Sequence, residues 1–156
     1  MRSGSVRFCR RMLSSAFFAF MLPLAIPCLP AQNLNLKKIQ SVAESQHEIV
    51  TLLLRKKEFA KAREEANKIF QMKWPQNQEP VLLRELLWFC DKFLDNGQPA
   101  LAVRLLETNL STFKDNSSKA AIWKEKGYLL KEMGQDDKAL DCFREALRLE
   151  KIKSRP

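Results

Sequence analysis

Between Trp123 and Ala146, small, large and helix-stopping residues recur in one fixed order, Trp-x3-Gly-x2-Leu-x3-Gly-x4-Ala-x3-Phe-x2-Ala. Each position has a physical reason. Gly127 and Ala139 are small where two helices must approach closely, and Ala146 leaves room for a following helix. Trp123 and Phe143 are large enough to fill the wedge between the pair. Gly134 supplies a helix stop, because glycine takes the left-handed C-terminal conformation without steric cost. The spacing predicts two antiparallel helices, one carrying Ala120 to Met133 and the other Ala139 to Leu149.

Upstream, apolar residues also recur at helical spacing. Leu36, Ile39, Val42, Ile49, Val50 and Leu53 mark a first helix, which ends at Arg55-Lys56-Lys57 as the helix dipole favours. Phe59, Ala62, Ala66, Ile69 and Phe70 mark a second, closed by a loop from Trp74 to Gln78. A third opens near Pro80 and carries Leu83, Leu86, Leu87, Phe89, Cys90, Phe93 and Leu94 up to Asn96-Gly97. Pro99 opens a fourth with Ala102, Val103, Leu105, Leu106 and Leu110, and Lys114 to Ser118 separates it from the fifth, which Ser117 or Ser118 is expected to cap. Scarce Val and Thr, and no Asn-Gly or Asp-Gly turn between alternating runs, argue against hairpins. The class expected is all-α.

Ala62, Ala102 and Ala139 share one position of a recurring unit. In the middle unit Leu86, Phe89, Cys90, Phe93, Gly97, Ala102 and Leu106 fit, with Asn109 in place of the second small residue. In the first, Val50, Leu53, Phe59 and Ala62 fit. The pattern at Trp123, Gly127, Leu130, Gly134, Ala139, Phe143 and Ala146 resembles a tetratricopeptide repeat, except that Lys151 stands where that family closes on Pro. The upstream units resemble degenerate members. The resemblance implies a right-handed α-solenoid of about three antiparallel helix pairs over residues 36–151, which binds another protein or peptide and needs no cofactor. A short basic tail, 152–156, follows.

The family's geometry also implies a concave surface lined by the first helix of each pair. Its candidates here are His47, Thr51 and Leu54, then Arg84, Leu87, Asp91 and Leu94, then Lys124, Tyr128 and Lys131. Some members grip a carboxylate tail with a Lys, Asn and Arg clamp, but the matching positions are His47, Thr51, Trp88, Ala121 and Glu125, so that use is not expected. The last helix has no polar capping helix after it, which leaves Leu140 and Leu147 as an uncapped face. That face admits a partner helix or a homo-oligomer.

Residues 1–31 have the layout of a secretory signal: Arg2, Arg7, Arg10 and Arg11, an apolar stretch from Met12 to Ile26, and Pro-Cys-Leu-Pro-Ala before Gln32. Cleavage is expected after Ala31, leaving a polar lead-in at 32–35 and a periplasmic or secreted product. The alternative is a membrane-tethered accessory subunit of an envelope assembly, held by an uncleaved N-terminus or by lipid on Cys28. Pro27 before Cys28 speaks against the lipid, and Met12-Leu13-Ser14 after Arg10-Arg11 fits the twin-arginine pattern only loosely. The four arginines are part of a formal charge of +9, and without them the remaining charges are Lys/Arg and Asp/Glu interleaved along helices. No nucleic-acid partner is expected, and a membrane only if the N-terminus is retained.

Catalytic machinery is not evident. His47 is the single histidine, the acidic pairs Glu64-Glu65 and Asp136-Asp137 read as solvating or turn-favouring groups, and no glycine-rich phosphate loop occurs. Cys90 and Cys142 fall on apolar helix faces as small core residues, with no metal-ligand spacing. The chain is therefore expected not to be an enzyme. Asn109-Leu110-Ser111 and Asn116-Ser117-Ser118 fit the glycosylation pattern.

Overall fold

The computed structural model describes residues 31–153, and the surroundings of side chains 35–151. The signal segment with its cleavage point, Cys28 and the end of the basic tail lie outside the described side chains. Six α-helices follow one another: α1 Ala31–Arg55, α2 Phe59–Gln71, α3 Glu79–Asp95, α4 Pro99–Asn109, α5 Asn116–Glu132 and α6 Asp136–Lys153. Short 3-10 turns at Gln76–Gln78 and Leu110–Thr112 flank α3 and α4. Among the described residues there is no strand. Neighbours in sequence pack as pairs, α1 with α2, α3 with α4 and α5 with α6, and the pairs stack side by side. The architecture is a tetratricopeptide-like α-solenoid.

The middle pair forms the centre of the stack. Leu86, Phe89, Phe93, Leu105 and Leu106 are fully buried, and Ile69 of α2 and Ile122 and Leu129 of α5 close over them from either side. Burial of this kind contributes about 1.5–3 kcal/mol for each large apolar side chain.

All three pairs turn the same corner. Lys57 donates its backbone N–H to Leu54 O and Glu58 to Leu53 O, Gly97 to Leu94 O and Gln98 to Phe93 O, and Gly134 to Lys131 O and Gln135 to Leu130 O. These paired bonds close a helix through one left-handed residue. Its φ is 60° at Lys57, 69° at Gly97 and 70° at Gly134. Lys57 therefore makes without glycine the turn that glycine makes twice.

Side-chain volume is also traded within the pairs. A Cβ on Gly127 would lie 2.7 Å from Cε1 of Phe143, so the last pair closes only because that helix position is empty. At the same register the middle pair has Cys90 and Leu106 and the first has Val50 and Ala66, all buried. As the residue on the first helix grows from Gly to Cys to Val, the one on the second shrinks from Phe to Leu to Ala.

Two buried polar groups tie separate elements together. The Glu79 carboxylate accepts from Lys114 N (3.1 Å) and Asp115 N (2.9 Å), fixing the segment before α5 to the start of α3. Asn109 donates to Asn67 Oδ1 (2.7 Å) across α2 and α4 and to Leu105 O (2.8 Å). Buried and engaged in this way, Asn109 does not present a glycosylation site.

Several expectations are corrected. Gln32 to Asn35, expected as a polar lead-in ahead of the helical domain, belong to α1, since no Pro or Gly interrupts the chain between Pro30 and Pro75. α6 runs past residue 151 to Lys153, because Lys151 does not break a helix as Pro does. The cap of α5 is Asp115, whose carboxylate accepts from Ser117 N at 3.2 Å, in place of Ser117 or Ser118. Val42 and Ile49 do not join the core but are exposed with Leu52, since among the described residues the helices packed on α1 leave that side of it uncovered. Leu54 is buried in the core and so does not line a groove. Cys90 and Cys142 are buried free thiols, and burial pushes both thiol pKa values up.

Candidate protein-binding site

The first helices α1, α3 and α5 share one face of the stack, and two seams run between them. At the α1–α3 seam Nδ1 of His47 donates to Oε1 of Glu85 at 2.5 Å. The imidazole lies 4.4 Å from the Trp88 ring and 5.4 Å from the Phe89 ring. His47 thus links two helices, half-buried, with one nitrogen committed.

Beside this link opens a cleft of about 580 Å³, bounded by α1, the end of α2 and the start of α3. Its apolar floor is Ala43, Ile69, Trp74, Val81 and Leu82. Trp74 is fixed by its indole N–H, which donates to Ile69 O at 2.7 Å. The charged lining is Glu44, Glu48 and Glu85, with no Lys or Arg. Three carboxylates over an apolar floor make a potential that attracts cations.

The α3–α5 seam is acidic as well. Glu125 is half-buried, and burial followed by the nearby charge of Asp91 pushes its carboxyl above the ordinary value. The charge of Asp91 disfavours that of Glu125, and a bound cation relieves this. Tyr128, 57% exposed and three residues after Glu125 on α5, has its ring edge-on to Phe143 at 5.2 Å.

Among the other candidates, Arg84, Asp91 and Lys131 are exposed on this face, and Leu87 is half-buried. Leu94 packs against the core. Lys124 is bound to Glu150 at 2.6 Å, and this hydrogen bond raises its ammonium pKa. The Thr51 hydroxyl is buried and has no hydrogen-bond partner among the described residues. The structure thus gathers His47 with residues that sequence reasoning left out: Glu44, Glu48, Trp74 and Glu85. Glu48, Trp88 and Glu125 each follow a candidate by one residue, so the repeat register contained a signal for them. Trp74 lies in a loop, where periodicity says nothing.

A second groove of about 760 Å³ lies between α4, α5 and α6. There Lys126 Nζ sits 4.9 Å above the Trp123 ring and 2.7 Å from Glu107. Its lining mixes Arg104, Lys126 and Lys138 with Glu107, Asp141 and Glu145, so it selects neither sign of charge. At the end of the stack Leu140 and Leu147 are exposed. Among the described residues no three His, Cys, Asp or Glu gather to hold a metal, and no helix is long and apolar enough to cross a membrane.

Comparison with known families matches residues 120–151 to the tetratricopeptide repeat. The match falls on α5 and α6, the pair closed by Gly127 against Phe143. No curated protein matches the chain. A tetratricopeptide repeat in α5 and α6 suggests a protein–protein interaction scaffold.

Proposed function

We propose that the chain is an exported, non-catalytic adaptor whose α1/α3/α5 face receives a cationic, partly apolar segment of another protein. The observation that carries this reading is the cleft at Glu44, Glu48 and Glu85, lined by these carboxylates without Lys or Arg and floored by Trp74 and Val81. The Asp91 and Glu125 pair extends the same preference along the face, toward Tyr128. A peptide lying across α1 and α3 buries its apolar side chains on Trp74 and pairs its Lys or Arg with the carboxylates. Complementary charge of this kind sets which partner binds and how quickly.

The test is fluorescence polarisation with two labelled peptides of the same length, one alternating Leu with Lys and the other Leu with Glu. The Lys peptide binds, and its affinity falls with added salt and at least tenfold in the Glu44→Lys/Glu48→Lys variant. Equal affinity for the Glu peptide, or indifference to the charge reversal, overturns the reading. Export rests on the arginine-led apolar segment before Gln32. Mass spectrometry of the native protein checks it: a start at Gln32 supports release, whereas an intact Met1 or a lipidated Cys28 makes the adaptor membrane-tethered.

A further inference from the structure

We propose that the two ends of the stack are complementary and that a second copy of this chain docks head to tail, α6 of one against α1 of the next. The chain contains the template for this joint. Phe70 in α2 and Phe89 in α3 meet with ring centroids 6.3 Å apart, and they are 2% and 0% exposed. They belong to successive pairs, so this contact is one between repeats.

Counting from the shared alanines, Phe70 lies eight residues after Ala62 and Leu147 eight after Ala139. Phe89 lies thirteen residues before Ala102 and Ile49 thirteen before Ala62. Leu147 and Ile49, on the outermost described helices, are therefore the equivalents of a pair that is buried inside the stack, and they are 52% and 43% exposed. The same register is used again in the next joint. Lys126, thirteen before Ala139, reaches back to Glu107 of α4. Position thirteen of a first helix thus faces the preceding pair both times the chain shows it.

Charge favours the same docking. Continuing the stack lays α6 antiparallel to the incoming α1, as a second helix meets the next first helix within the chain. With Leu147 opposite Ile49, the antiparallel register sets Asp141 of α6 opposite Arg55 at the end of α1 and Arg148 opposite Glu48. All four side chains are exposed. Antiparallel docking in this register brings opposite charges together on both sides of the apolar contact. Leu140 and Leu52, also exposed, extend the apolar strip beside Leu147 and Ile49.

A head-to-tail joint leaves one half unpaired at each end of a two-copy assembly, so it predicts growth past two copies, into a ring or a filament, instead of a dimer. Multi-angle light scattering of the purified protein should show mass rising past twice the monomer as concentration increases. Leu147→Glu removes one half of the joint and Ile49→Glu the other, both at exposed sites where folding tolerates the change. Each variant alone is monomeric. Mixed, they form a one-to-one complex and nothing larger, because each retains the half that the other lacks. A second pair, Arg148→Glu with Glu48→Arg, associates more weakly when either is mixed with the unaltered chain and recovers when the two are mixed together. Circular dichroism confirms that each variant is folded. A strict monomer at every concentration overturns the proposal. So does a dimer abolished by only one of the two leucine and isoleucine variants, which would show two like ends meeting.

Discussion

In the last helix pair Gly134 turns the chain at φ 70° and Gly127 lets Phe143 lie against the neighbouring helix; in the first pair Lys57 turns it at φ 60°, and Val50 and Ala66 occupy the matching positions. The backbone is the same and the residues are not. What the repeat conserves is a left-handed stop with its two hydrogen bonds, and a sum of volumes between facing helices. Gly with Phe, Cys with Leu, and Val with Ala are three solutions to one packing requirement. A pattern defined by residue identity sees only the first of these, which is why the family match covers α5 and α6 alone.

The volume argument gives the strongest test. Gly127→Val places a branched side chain where even a Cβ meets Phe143, and overpacking should cost about 2–3 kcal/mol. Combining it with Phe143→Ala recreates the residues of the first pair inside the last. Urea melts of the four proteins should then show the double variant more stable than the sum of the single losses, by about 1–3 kcal/mol. Strictly additive losses would mean that the facing volumes are not coupled.

The same contrast explains how much could be read from the sequence. Helix count, order and pairing follow from apolar spacing and from Gly97, Gly134 and the prolines, which are local signals. The last pair was readable to the residue, because there each requirement is met by the residue type that meets it most simply. At Lys57 and Val50 it is met by a substitute, so the first unit looked looser than it is. The candidate face was only partly readable. His47 was placed by register, but its bond to Glu85 and the cleft floored by Trp74 join elements far apart in sequence. Leu54 was misplaced because periodicity gives a helix face without saying which neighbour covers it, and Val42 and Ile49 erred in the opposite direction for the same reason.

If the turn is the requirement, glycine should improve the first pair and its loss should harm the last. Lys57→Gly relieves a left-handed residue that carries a Cβ and should stabilise the protein by about 1 kcal/mol. Gly134→Ala should destabilise it by about the same amount. Neither site crowds another group: a Cβ at Gly134 meets nothing within 4 Å, so the difference isolates backbone conformation. Thermal melts that moved in the same direction for both variants would show that the two turns are not equivalent.

The seams between pairs differ as well, and this separates stability from binding. The α1–α3 seam joins His47 to Glu85, whereas the α3–α5 seam sets Asp91 near Glu125. Burial and then Asp91 raise the Glu125 carboxyl above its ordinary value of 4.5. Between that value and the raised one the folded chain holds a proton that the unfolded chain has lost, so stability falls as pH rises through the window. Above the window the ionised Glu125 is a net cost. Glu125→Gln should therefore raise the melting temperature slightly at pH 7, and the gain should vanish below about pH 4, where Glu125 is protonated in both states. On the proposed function, the same substitution removes a carboxylate that a cationic partner would use. It should weaken binding of the Lys peptide while stabilising the free protein. A variant that is more stable and binds as tightly would make the Asp91 and Glu125 pair an incidental strain in the stack and confine the binding site to the cleft at Glu44, Glu48 and Glu85.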